Sequence, residues 1–368
     1  MTHRLGRRDF LHVGCVGGIG LAITDCLHMS HGVANGDRQR AWGVEASAAA
    51  AICIVLPGGL AAQESFDPKP QAPAEFRGPF GTVATRVPGV RLGELWRHTA
   101  RVADKIAICR SVSHGEASHE GARLRVFSGL RSIRGWHWAT LRLRGSAGFA
   151  HDPASPPCTP PAPHREWTGS LGNEAQAQSV TAKASQALQI EHEEAKIREE
   201  YGNTAAGTRL LLCRRLVEAG VRCVATQLGS WDMHNDIQGG MRSQAAPLDQ
   251  AFASLIRDLD RRGLLDSTLV CLATEFGRSP KINSIAGRDH WPRVFSLVLA
   301  GGGIRGGLVH GASDATGSEP SESPLPLEDW AATIRYCLGT PDESQRVTSS
   351  GPTGGSARPG QVCRALLA

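Results

Sequence analysis

The sequence predicts an α/β domain built on a mainly parallel central sheet. Short apolar runs at 51–56, 106–110, 221–228, 269–274 and 295–300 have the length and unbroken hydrophobicity of strands covered on both faces. Stretches of helical period lie between several of them. Four of the runs lead straight into polar or small residues, which is how strands of open α/β sheets end where they serve a ligand.

The elements follow in order. Ala51-Ile52-Cys53-Ile54-Val55-Leu56 opens the sheet. A helix is expected over 93–104, then the strand 106–110. From 132 to 172 the chain is rich in Arg, Pro, Trp and His without a sustained period of 2 or 3.6, and reads as irregular. A helix over 208–219 ends at Gly220, and one over 247–262 ends at Gly263, where a C-terminal glycine is expected. In the second helix Leu248, Phe252, Leu255, Ile256 and Leu259 share one face. Gly301-Gly302-Gly303-Ile304-Arg305-Gly306 matches a dinucleotide fingerprint, but no helical pattern follows it. A phosphate cradle needs that helix, so a glycine hairpin is the reading and a nicotinamide-dependent oxidoreductase is disfavoured. The expected organisation is an N-terminal signal and linker over 1–40, one domain over 45–340 with 132–180 irregular, and an irregular tail over 341–368.

Composition narrows the function classes. The 368 residues carry 40 Lys+Arg and 35 Asp+Glu, a net charge of +5 that gives no case for nucleic-acid binding. Only five of the 40 basic residues are lysine, a bias that looks like a GC-rich genome rather than a binding surface. Hydrophobic residues make up 41%, enough for a sizeable core, and no run of about 18 apolar residues suggests a membrane span. Leu5-Gly6-Arg7-Arg8-Asp9-Phe10-Leu11, with a mildly apolar, Gly-rich stretch to about Thr24, has the order of a twin-arginine export signal. The implied partner is the twin-arginine export machinery, and the implied location periplasmic or extracellular. Asp25 before Cys26 argues against a lipoprotein box. The ten cysteines form no Cys-x-x-Cys pair, and Cys53, Cys109, Cys213, Cys223 and Cys271 sit in apolar company as core thiols.

The polar residues cluster after the strands. Glu64-Ser65-Phe66-Asp67 follows the first, and Ser111-Val112-Ser113-His114-Gly115-Glu116, with His119 beyond, follows the second. Trp231-Asp232-Met233-His234 follows the third and Glu275-Phe276-Gly277-Arg278 the fourth. Gly287-Arg288-Asp289-His290-Trp291 precedes the fifth. Carboxylates with imidazoles suit Zn or Mn better than Ca or Mg, which prefer all-oxygen shells. The candidate ligands of a divalent metal are Glu64, Asp232, His234, Glu275, Asp289 and His290. Asp232 and His234 flank one residue and share a side if extended, though they equally suit a helix cap. Glu275 equally suits an ion pair with Arg278 or Arg288, and His290 a structural hydrogen bond with Asp289. Ser111 and Ser113 are candidate nucleophilic hydroxyls, and Arg278 a candidate clamp for an anionic group.

Several blocks together resemble a bacterial family. They are Ser65-Phe66-Asp67-Pro68-Lys69-Pro70, Pro73-Ala74-Glu75-Phe76-Arg77-Gly78, Arg110-Ser111-Val112-Ser113-His114-Gly115, Arg215-Leu216-Val217-Glu218-Ala219-Gly220-Val221-Arg222, Trp231-Asp232-Met233-His234, Glu275-Phe276-Gly277-Arg278-Ser279-Pro280-Lys281-Ile282-Asn283 and Gly287-Arg288-Asp289-His290-Trp291-Pro292. The family is the domain-of-unknown-function family fifteen-oh-one, typically with a twin-arginine leader, in the alkaline phosphatase and sulfatase-like superfamily. The resemblance implies an alkaline phosphatase-like sheet with helices on both faces and one or two metals at the strand ends. It implies metal ligands at Glu64, Asp232, His234, Glu275 and His290, and a nucleophile or substrate-binding residue near Ser111 or Ser113. The implied substrate is a small-molecule or polysaccharide anionic ester of phosphate or sulfate. The chain departs from the family at Gly58-Gly59-Leu60-Ala61-Ala62-Gln63-Glu64-Ser65-Phe66-Asp67, where a histidine is missing and Glu64 replaces an aspartate. Phe276 stands where the superfamily has a histidine, and the middle is shorter. These departures admit an alternative: a catalytically degenerate, exported binding or scaffold protein.

Overall fold

The computed structural model describes residues 46–128, 183–339 and 360–368. The expected export signal, the segment 132–180 expected to be irregular and most of the tail lie outside the described residues. In chain order the structure runs β1 (Ala50–Leu56), α1 (Ala74–Arg77), β2 (Thr82–Ala84), β3 (Arg91–Gly93), α2 (Arg97–Ala100), β4 (Ile106–Ser113) and α3 (His119–Ser128). There follow α4 (Ala195–Tyr201), α5 (Ala205–Glu218), β5 (Cys223–Gln227), α6 (Ile237–Arg261) and β6 (Thr268–Thr274). The last elements are β7 (Gly277–Arg278), β8 (His290–Trp291), β9 (Phe295–Ala300), β10 (Leu308–His310), β11 (Ala312–Ser313), β12 (Pro320–Glu322), β13 (Leu325–Pro326) and α7 (Leu327–Cys337).

All five expected strands form one sheet in the order β10-β4-β9-β6-β1-β5, with β13 also on β4. The sheet is mixed, with four of its six strand pairings parallel as expected and the two made by β9 antiparallel. β1 pairs in parallel with β5 and β6, and β10 and β13 with β4, but β9 is antiparallel to both β4 and β6. The reason lies in the connection from β6 to β9. It is occupied by the β7–β8 ribbon and makes no crossover to the far end of the sheet, so the next strand must return. One consequence places the site: β1, β4, β5 and β6 all end at the edge where β9 begins.

Every residue of β1, β6 and β9 is buried, because both faces are covered. Ile52, Ile54, Ile108, Leu272 and Val298 pack with Leu210, Leu248, Phe252 and Leu255 of α5 and α6 on one face. Cys53, Val55, Cys109, Cys271 and Leu299 pack with Trp330 and Cys337 of α7 on the other. Of the five expected core thiols, Cys223 alone is only half-buried. Among the described residues, no helix is long and apolar enough to cross a membrane.

Two helices differ from expectation. The span 93–104 holds only α2 and a 3-10 turn at Ala103–Lys105, because 91–93 is drawn into the β2–β3 ribbon. α6 begins ten residues before Pro247. Asp236 caps it by accepting from the Gly239 amide at 2.9 Å, and buried Met241 and Ala245 hold the first turns on the core despite the proline. The glycine run after β9 makes a turn into β10, with no helix. In the final segment Leu366 is buried and Leu367 bridges Ile304.

Candidate functional site

The loop after β5 carries Asp232 and His234. Trp231 and Met233 alternate with them and are buried, Trp231 stacking on Trp96 with ring centroids 6.5 Å apart, so the acid and the imidazole turn together toward solvent. Two glycines allow neighbouring loops to close on this one. At Gly58 (φ +105) a Cβ would stand 2.4 Å from the Asp232 amide nitrogen, and at Gly287 it would stand 2.0 Å from the His234 carbonyl oxygen. The second contact brings in β8 with His290. α3 brings His119 from the fourth strand's side.

Three imidazoles meet at Asp232. Nε2 of His234 and Nε2 of His290 each lie 3.1 Å from Asp232 Oδ1 and 3.1 Å from one another. His119 Nε2 lies 3.5 Å from Asp232 Oδ2. One ligand atom each from His119, Asp232 and His290 fall within 4.8 Å of one another. The opposite nitrogens are all held by oxygen acceptors. His119 Nδ1 donates to Glu275 Oε2 at 2.5 Å, His234 Nδ1 to Asp289 Oδ1 at 3.1 Å, and His290 Nδ1 to the Ala117 carbonyl at 2.9 Å. A proton on each Nδ1 leaves each Nε2 of a neutral ring as a lone-pair acceptor. Facing acceptors 3.1 Å apart repel unless a proton or a cation lies between them. The donor set therefore fits a divalent metal. The spacing is also close to the ~3.3 Å separating ligand atoms around a tetrahedral ion with bonds of about 2.0–2.1 Å. Phe276 is buried beneath, its ring 4.4 Å from that of His290 and 5.2 Å from that of His119.

Charge is concentrated here. Burial opposes ionisation of Asp232, but the hydrogen bond and positive charge of Arg278 hold its pKa down to about 2. The bond from His234 lowers that of Asp289. Glu275 is fully buried and takes Arg123 Nε at 2.9 Å, Arg123 Nη2 at 2.5 Å and the Gly58 amide at 3.2 Å.

The expected site residues fall into three groups. Asp232, His234 and His290 come together as anticipated from their loops. Glu275 and Asp289 stand one step behind, holding the outer nitrogens of His119 and His234. Glu64, Arg278, Ser111 and Ser113 differ from expectation. Glu64 is fully buried against Arg288, whose Nη2 and Nε reach Oε1 at 2.6 and 3.1 Å, and no contact joins it to the cluster among the described residues. Burial raises its pKa against the pull of Arg288. Arg278 cannot clamp a substrate, because its donors are committed to the Gly58, Gly59 and Arg288 carbonyls and to Asp232. The buried Ser111 hydroxyl donates to the Ser323 carbonyl at 2.6 Å, a bond that leaves it no base to activate it. Ser113 ends β4 opposite Pro326, and no hydrogen bond ties it to the cluster among the described residues.

His119 belongs to the cluster although its sequence context singled it out only weakly. Arg123, one helical turn later on the same face, was not signalled at all. The available signal was the His-x-x-x-Arg spacing at the start of a helix, which points both side chains at one partner. His114 serves from behind: its Nε2 donates to the Glu275 carbonyl at 2.8 Å while its Nδ1 accepts from the Glu116 amide.

Fold and cluster thus define a three-layer α/β protein with an imidazole–carboxylate centre at the strand-end edge of its sheet. The chain belongs to the family described as protein of unknown function, DUF1501, whose model matches residues 48–140 and 164–367. No curated protein matches it. Among solved structures, the phosphonate monoester hydrolase SpPMH from Silicibacter pomeroyi is similar at 14% identity and a TM-score of 0.18. That match covers 50% of this chain and 29% of the other.

Proposed function

We propose that this protein is an exported, metal-dependent hydrolase of phosphate or sulfate esters with an alkaline phosphatase-like fold. The observation that carries the reading is the convergence of three Nε2 atoms on Asp232 with every Nδ1 already held. Asp232, His119 and His290 would hold Zn or Mn, with His234 beside Asp232 and His290. Such an ion, when bound, stabilises developing negative charge and makes water a nucleophile near neutral pH. Glu275, Asp289 and the Ala117 carbonyl fix the three rings in the tautomer that binds a cation. Arg278 keeps Asp232 ionised. Phe276 and the buried β1 turn shield the inner side from water, while Asp232 and His234 stay accessible to a small-molecule or polysaccharide ester. With Ser111 bonded to a carbonyl, water is the attacking group in this reading. The twin arginines Arg7 and Arg8 direct export through the twin-arginine machinery to the periplasm or beyond.

The test is metal content and turnover in the same preparation. After reconstitution with Zn or Mn, the wild-type chain is expected to retain the ion and to release nitrophenol from aryl phosphates or sulfates. Asp232→Asn and His290→Ala each alter a ligand and are expected to weaken metal binding by more than the ~10–100-fold that loss of a ligand's outer partner costs. A chain that holds no ion after reconstitution ends the proposal. A chain that holds the ion without turnover supports instead a binding or scaffold protein, a reading favoured by Arg278 sitting on one oxygen of Asp232.

A further inference from the structure

Three guanidinium groups lie around the cluster, and they differ in how many donors are still available. Those of Arg278 are committed to three carbonyls and Asp232. Those of Arg288 are committed to Glu64 and to the Ser279, Pro280 and Phe76 carbonyls. Both residues are buried, at 1% and 0% exposure. Arg123 is different. Nε and Nη2 bind a single oxygen, Glu275 Oε1, and Nη1 makes no hydrogen bond to any described residue. The end of its planar fork, where Nη1 and Nη2 present parallel N–H groups, is therefore unused. Its side chain keeps 27% exposure.

The position is as informative as the free donors. Arg123 and His119 bind the two oxygens of one carboxylate, so the guanidinium stands within a carboxylate's width of a ring of the cluster. Both project from the first turns of α3, whose positive end also faces this side. As a counter-ion for Glu275 alone, Arg123 would need no open fork. The neighbourhood otherwise carries Asp232, Asp289 and Glu275, which repel an anion, so an anionic ester needs a cation with donors to spare.

We propose that Arg123 is the specificity-determining residue of this site, gripping two oxygens of the phosphoryl or sulfuryl group presented to His119, Asp232 and His290. This deepens the hydrolase reading by naming the residue that selects an anionic substrate. A neutral ester would leave the open end of the fork without a charged partner, so the site favours an anionic one.

The experiment titrates inorganic phosphate against the full chain, both loaded with Mn and stripped with EDTA, for wild type, Arg123→Lys and Arg123→Gln. Phosphate is expected to bind wild type and to bind both variants about tenfold more weakly or worse, with metal content retained in Arg123→Lys. Arg123→Lys keeps a cation beside buried Glu275, so it remains folded if Arg123→Gln does not. Phenylglyoxal labelling of wild type, read by peptide mass, gives a variant-free measure: phosphate should protect Arg123. Phosphate affinity in Arg123→Lys within threefold of wild type, labelling of Arg123 indifferent to phosphate, or no phosphate binding in wild type overturns the proposal. Failure to hold Mn defeats the hydrolase reading alone, because the stripped-protein titration still reports on Arg123.

Discussion

Glu64 shows how one partner decides a residue's role. By sequence it is an acid just past a strand end, the expected place for a ligand. In the structure its carboxylate faces Arg288, 224 positions away, with both side chains out of water. A buried ion pair contributes little net stability relative to an apolar pair, yet removing one member leaves the other charge stranded, at a cost of about 3–5 kcal/mol. Glu64→Gln should therefore destabilise the chain by roughly that amount in denaturant unfolding while leaving Zn or Mn content unchanged. Loss of metal in a folded Glu64→Gln protein would return Glu64 to the ligand set. His119 is the complementary case. It reads as an ordinary loop histidine until Glu275 orients it, and the pairing between α3 and the end of β6 exists only in three dimensions.

At the scale of elements, helix ends are secured from a distance. α2 has only four residues and no side-chain cap of its own. Asp249 of α6 supplies one, its two oxygens accepting from the His98 and Thr99 amides at 2.8 and 2.7 Å. Asp249→Ala should cost about 0.5–2 kcal/mol in chemical denaturation, the range for a lost N-cap. A change below a few tenths would mean that those amides find water instead. The same remoteness explains what was legible in the sequence. The five strands were readable because burial on both faces writes an unbroken apolar run, whichever way a strand points. The reversed direction of β9 left no compositional trace; it follows from the β7–β8 ribbon, whose strands are two residues each. Asp232, His234 and His290 were readable because polar residues at a strand-end edge stand out against an apolar chain. Arg123 was not, since one more arginine among so many carries no local signal. The start of α6 was hidden by Pro247, where local stereochemistry gives way to the packing of Met241 and Ala245.

The whole molecule should answer to acid through these same groups. Asp232 and Asp289 at the cluster are held below the normal aspartate pKa by Arg278 and His234. On the far side of α5 and α6, Arg214 reaches Glu193, Glu218 and Asp258 at 2.5, 2.6 and 2.9 Å, and despite burial Asp258 and Glu193 are also held down. For an acid with a lowered folded pKa, the unfolded chain takes up the proton first, so its stabilisation is complete above the unfolded value and disappears as pH falls through the folded one. Those unfolded values are 3.8 for Asp and 4.5 for Glu. Burial of His114 and His310 lowers their pKa and acts in the same direction, beginning below 6.5. Glu64 and Asp249, whose pKa values burial raises, oppose the trend by binding protons more tightly when folded. The lowered groups are more numerous and sit in two separate parts of the fold. The melting temperature should therefore slip slightly from pH 7 to 5 and fall steeply between about 4.5 and 2. Thermal melts followed by circular dichroism check this. Asp232→Asn should flatten the lowest part of that fall, because Asp232 is the group whose folded pKa reaches about 2. A melting temperature that holds or rises down to pH 2.5 would mean that the ion pairs around Asp232 and Arg214 add nothing to the folded state.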